Sequence, residues 1–168
     1  MKTPGQTLIQ RLYTEALWVV MHPYRRPSYA ELNIFPGEGQ RHQSMLHHIR
    51  YTLDQAVDVV VIHDTHITGE HWPQPAEEFA DYPRAHHRKE LISHIKRTGK
   101  TELVYTGFHW GWCLHTDACG IVRMSEHYRC YALRHCCAYT AEDASTLANV
   151  RRINGYVEEK LASGYSEI

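Results

Sequence analysis

The stretch TELVYTGFHWGWCLHTDAC, residues 101–119, reads as a strand, a turn and the start of a helix. Its first part, ELVYT at 102–106, has the apolar, β-branched and aromatic composition of a buried strand. Gly107 and Gly111 punctuate the turn, and from Cys113 onward the residues suit a helix. A strand feeding a helix in this way is half of a βαβ crossover. In sheets built from such units, ligands bind in the crevice beyond the carboxyl ends of the strands, and the following helix directs its unpaired amides and positive dipole end there. A thiol at such a helix start has a lowered pKa, which makes Cys113 a candidate nucleophile. The plain alternative is a small hydrophobic side chain at the base of a helix, the usual role of a free cysteine.

Three more segments have the composition of buried strands: ALWVVM at 16–21, VDVVVI at 57–62 and CYAL at 130–133. Their near-continuous hydrophobicity suits a sheet covered on both faces. Segments with helical spacing lie between and after them. Residues 43–55 place Met45, Ile49 and Leu53 on one stripe, and 86–98 place Leu91, Ile92 and Ile95 on another. A long helix is expected over 141–161, with Leu147, Val150, Val157 and Leu161 facing inward. Strands alternating with helices predict an α/β fold, a three-layer doubly wound sheet, mostly parallel, in a single domain over residues 1–168. Pro and Gly concentrate at 23–39 and 72–83, loops long enough to form lids or pocket walls.

The formal charge of -1 supplies no field to recruit nucleic acid or an anionic membrane, so neither is expected as a partner. No apolar run approaches the ~20 residues that cross a bilayer, and the opening MKTPGQTLIQ lacks the pattern of a secretion signal; a cytoplasmic location is the expectation. The 5 cysteines include no CxxC pair, and Cys136 adjoins Cys137, which favours reduced thiols over a zinc ribbon or a disulfide framework. The unusual count is 14 histidines, more than packing needs, which points to ligands or proton carriers among them, while pairs such as His47-His48 and His86-His87 sit in polar stretches that suit surface positions.

The run Val104-Tyr105-Thr106-Gly107, five residues, Cys113, then Thr116 and Ala118 resembles the nucleophile turn of the isochorismatase-like superfamily of cysteine hydrolases, to which the nicotinamidases belong. The order of elements is similar from about 16 to 145. The resemblance implies a Rossmann-type topology and hydrolysis of a C–N amide or related carbonyl compound through a thioester. It also implies a small-molecule substrate and a homodimer or higher homo-oligomer. By position, the family's cis peptide falls between Phe108 and His109, and the amides of His109 and Cys113 form an oxyanion hole of the kind acyl transfer needs.

Two family residues are replaced. Where the family has an Asp at the end of the first strand, this chain has His22, which implies a Cys113–His22 dyad in which imidazole moves the proton. His22 as a simple strand cap before Pro23 is the alternative. No lysine occurs between Lys2 and Lys89, and Arg84 is the nearest cation to the place of the family's Lys, where it would act as an electrostatic clamp. These replacements keep a second expectation open: a catalytically impaired relative serving as a binding or regulatory protein.

Residues 59–72 resemble the nicotinamidase D-x-H segment, which implies Asp64, His66 and His71 as ligands of Zn or Fe, with His86 or His87 as a fourth. Here the competing reading is a strand-end Asp that caps its turn, with no cofactor required. Trp72, Phe79 and Tyr82 in the second loop, with Phe108, Trp110 and Trp112 in the turn, suit either an apolar substrate pocket or a dimer face.

Overall fold

The computed structural model describes residues 7–25, 35–63, 76–160 and 165–168. Among them a parallel sheet of six strands runs in the order β3-β2-β1-β4-β5-β6. The strands are β1 (Leu17–Met21), β2 (Asp58–Ile62), β3 (Arg84–Ala85), β4 (Glu102–Phe108), β5 (Arg129–Ala138) and β6 (Tyr165–Glu167). Helices α1 (Leu8–Glu15), α2 (Glu38–Leu53), α3 (Arg88–Thr98), α4 (Cys113–Thr116), α5 (Ile121–Met124), α6 (Ala141–Ala144) and α7 (Leu147–Lys160) connect them. No described helix is long and apolar enough to cross a membrane.

The central strand explains the layering. All five residues of β1 are buried, and alternation sends them to opposite faces. Leu17, Val19 and Met21 join a cluster with Leu91, Ile95 and Ile153, while Trp18 and Val20 join another with Leu12, Leu46, Ile49 and Leu53. The expected two-faced α/β sheet is therefore present, with α3 and α7 on one side and α1 and α2 on the other.

Three features depart from expectation. Strands β3 and β6 are too short and too polar to show hydrophobic periodicity, being RA and YSE. Strand β5 continues five residues past Leu133, through a bulge. The helix expected over 141–161 is two helices, because Thr146 caps a fresh start by accepting from the Asn149 amide at 3.1 Å. Leu147, expected to face inward, is 63% exposed; Ile153 and Val157 fill the core instead, and Leu161 lies outside the described residues.

Strand order reverses between β1 and β4, the neighbours from which the two halves of the sheet wind outward. Their register pairs Met21 with Gly107. Gly107 has φ 111, and a Cβ there would sit 2.3 Å from the Met21 carbonyl oxygen and 2.8 Å from its nitrogen. Only glycine permits both this backbone conformation and this approach. Gly107→Ala is therefore expected to lower unfolding stability in urea by roughly 3 kcal/mol or more. An unchanged midpoint would show that the close approach is dispensable.

Candidate active site

Four adjacent strands each end on a histidine. Met21, Ile62 and Ala85 are in register across β1, β2 and β3, and the next residues are His22, His63 and His86. His109 follows the end of β4 in the same way. The rim is knit together: His86 donates from Nδ1 to the His63 carbonyl (2.9 Å), and Tyr24 stacks on His22 (centroids 5.5 Å) while meeting His63 edge-on (5.9 Å). His42, from α2, stacks on Phe108 at 4.5 Å and donates to the Tyr24 carbonyl at 2.8 Å. Much of the histidine excess is thus gathered at the carboxyl edge of the sheet, the edge where doubly wound folds bind ligands.

His22 is 4% exposed and has φ 47, a left-handed conformation uncommon outside glycine. Such a backbone is sustained only where the surroundings fix it, and it clusters at functional sites. Here the His22 amide donates to the Ile62 carbonyl (3.0 Å) and its own carbonyl accepts from Tyr24 (2.7 Å). The His22 ring brings Nε2 to 3.9 Å from an Asp117 carboxylate oxygen.

Cys113 is the first residue of α4 and is half-buried. The helix that leads away from it is one turn long. Asp117 leaves it in an extended conformation (ψ 157) and holds the exit by accepting from the Cys119 amide at 2.7 Å. The Asp117 amide in turn donates to the Cys113 carbonyl (3.2 Å). Asp117 is therefore bonded to the Cys113 backbone and faces the His22 ring. Sequence reading missed it, because its side chain reaches His22 only when α4 stops after one turn.

The Phe108–His109 peptide is cis. The turn beyond it is clamped onto the carboxyl-terminal helices. Trp110 donates to Asn154 (3.1 Å), Trp112 donates to Asp143 (2.7 Å), and a Cβ on Gly111 would strike Ile153 at 2.5 Å. Buried Asp143 also accepts from Arg152 (2.7 Å) and Thr140 (2.9 Å), so its charge is fully engaged. Trp110 is 1% exposed, packed among the core residues and covered by the Arg134 guanidinium at 4.2 Å. Among the aromatics expected to form a pocket or a dimer face, Phe108 and Trp110 are buried on opposite faces of the sheet, and Trp112 is 46% exposed. Phe79 is likewise in the core. Arg84 lies on β3, two strands from β1, with an exposed side chain. Trp72, Asp64, His66 and His71 lie outside the described residues.

Burial separates Cys113 from its fellow thiols. Cys119, Cys130, Cys136 and Cys137 are buried, and desolvation raises Cys130 to about 12 and pushes Cys136 and Cys137 upward as well. His115, one turn along from the clamp, is lowered to about 4 by burial and by the nearby Arg134 charge. It is neutral at pH 7, and its Nδ1 accepts from the Gly111 amide at 2.9 Å, fixing the turn that precedes Cys113.

No protein-family model matches the sequence. No curated protein matches it either. Solved structures do match in fold. An isochorismatase-like hydrolase from Alkaliphilus metalliredigens aligns with a TM-score of 0.58 at 12% identity, over 91% of this chain and 94% of that one. The YcaC gene product of Escherichia coli, an octameric hydrolase of unknown specificity, aligns at 0.57 and 13% identity over 100% and 79%. Nicotinamidase PncA from Bacillus subtilis aligns at 0.51 and 9% identity over 91% and 99%. The chain thus has the isochorismatase-like α/β fold.

Because the His115 pKa in the folded state lies below its unfolded value, the unfolded chain binds the extra proton first on acidification. The His115 contribution is complete above pH 6.5 and is lost as pH falls toward about 4. Between pH 7 and pH 4 the native protein is expected to lose roughly 3 kcal/mol more stability than His115→Asn, whose amide oxygen still accepts from Gly111. Parallel stability–pH curves for the two proteins, by chemical denaturation, would contradict this.

Proposed function

We propose that the protein is a hydrolase of small amides or related carbonyl compounds in which Cys113 is the nucleophile and His22 the proton carrier. The observation that carries this reading is the chain of contacts from the Cys113 carbonyl to the Asp117 amide, and from the Asp117 carboxylate to the His22 ring. It links the backbone of half-buried Cys113 to a buried imidazole at the switch point between β1 and β4, where this fold class binds its ligands.

In the proposed reaction the His22 imidazole takes the Cys113 proton, and the thiolate adds to the substrate carbonyl carbon. The His109 and Cys113 amides hold the oxyanion. Collapse of the tetrahedral adduct breaks the C–N bond as the imidazolium returns its proton to the leaving amine. Water then adds to the thioester, giving up a proton to His22, and the acid departs as that proton passes back to the thiolate. Asp117 is the positioning residue, orienting the ring and stabilising the imidazolium. Imidazole and carboxylate would thereby do the work that the family's strand-end Asp and Lys do. Trp112 and the histidine rim supply substrate contacts, and a Zn or Fe centre at Asp64, His66 and His71 is not needed for any of these steps. The fold likeness to an octameric neighbour favours a homo-oligomer of this chain.

The test is ammonia release from a panel of aliphatic and aromatic primary amides, with Cys113→Ser and His22→Gln as variants. Loss of turnover in the first and a drop of about 10²- to 10⁴-fold in the second are expected. Labelling by iodoacetamide adds a readout independent of substrate. Selectivity alone is insufficient, since the other four thiols are buried; the decisive quantity is the pH profile. Cys113 is expected to alkylate with an apparent pKa below the usual thiol range, shifting upward in Asp117→Asn. No turnover on any amide together with an ordinary thiol profile would instead favour a binding protein that keeps the fold.

A further inference from the structure

A second cluster lies outside the rim described above. His48 on α2 and His135 and Cys136 on β5 bring one ligand atom each to within 4.8 Å of one another. Adjacent residues of a regular strand point to opposite faces and could not serve one ion. Strand β5 is irregular at this point: Ala132 and Cys137, five residues apart, pair with Tyr105 and Gly107, two apart. The bulge breaks the alternation, so that Cys136 faces the α2 side with Leu46, Ile49 and Leu53 while Cys137 faces the other cluster. His135 turns the same way, its ring 5.3 Å from that of His48.

We infer that His48, His135 and Cys136 form a binding site for a borderline-soft divalent ion, of which Zn(II) is the type. Two imidazoles and a thiolate are the ligand chemistry zinc selects. Tetrahedral bonding at zinc distances sets donor atoms about 3.3–3.6 Å apart, so the cluster closes by small rotations of two exposed imidazoles onto a fixed, buried sulfur. A water completes the coordination. Zn(II) displaces the thiol proton to solvent, leaving a metal thiolate.

The surroundings support the sulfur. Thr52, one turn beyond His48, has its hydroxyl 3.5 Å from the Cys136 sulfur and can turn from the His48 carbonyl (3.0 Å) to donate to a thiolate. Access is open, because His48 also lines a surface depression of about 530 Å³ with Gly37, Gln40, Arg41, Ser44 and Met45. His48 is six residues along α2 from His42, which touches Phe108, so roughly 9 Å of helix separates the two places. The ion would pin α2 to the β5 bulge.

Titration of the full-length protein with Co(II), as a spectroscopic stand-in, tests the site. One equivalent is expected to give tetrahedral d–d absorption and a sulfur-to-cobalt charge-transfer band, both displaced by Zn(II). The band should persist in Cys113→Ser and vanish in Cys136→Ser and in the His48→Gln, His135→Gln double variant. The double variant changes exposed residues only, so its fold is retained. Zn(II) at about 100 times its Kd should raise the melting temperature by about 5 °C in the wild type and not in the double variant. Absence of a charge-transfer band, or a band that survives Cys136→Ser, would overturn the site. Cobalt bound only by oxygen and nitrogen ligands elsewhere gives no such band.

Discussion

The contact between the backbones of Met21 and Gly107 is the constraint on which the site depends. It sets the register of β1 against β4, and that register determines which side chains follow the two strands at the switch point. His22 emerges one residue beyond Met21, and Cys113 emerges from the turn six residues beyond Gly107. A one-residue slip would carry every side chain of the slipped strand to the opposite face. Glycine's missing side chain is therefore a positional device for side chains elsewhere in the chain.

A second layer of support comes from far along the sequence. Asn154, Asp143 and Ile153 hold Trp110, Trp112 and Gly111, so the carboxyl-terminal helices act as a clamp on the turn before Cys113. His115 adds a short-range fastening that requires a neutral imidazole. At the opposite edge of the sheet Glu102 accepts from Arg11 (3.1 Å) and Tyr131 (2.9 Å), tying α1 and β5 to β4. The Arg11 hydrogen bonds hold the Glu102 carboxyl below its ordinary range. The site edge, by contrast, is rich in imidazoles.

The architecture was readable because buried parallel strands announce themselves as apolar runs, and ALWVVM, VDVVVI and ELVYT needed no other signal. Strands RA and YSE carry no such runs; they exist because a neighbouring strand offers its edge. The break at Thr146 was written in the sequence as a capping residue, masked by the apolar residues on either side of it. The places of Cys113 at the helix start and of His22 at the strand end were readable from the strand–turn–helix pattern and from the apolar run before His22. Asp117 and Asp143 were not, since each acts through a tertiary contact that no local spacing encodes. The histidines straight after ALWVVM and VDVVVI, His22 and His63, were visible in the sequence and mark the rim more directly than the aromatic residues, of which Phe108 and Trp110 belong to the core.

Similarity of fold at 9–13% identity shows that very different sequences reach this backbone. The proposed reaction requires electrostatic coupling between one imidazole and one thiol across the β1–β4 junction. The direct measurement is an NMR titration of the His22 ring in the native protein and in Cys113→Ala. In the proposed dyad a thiolate beside the ring would stabilise the imidazolium, so the His22 pKa is predicted to fall by about one unit or more when the sulfur is removed. Superimposable titration curves would contradict the account.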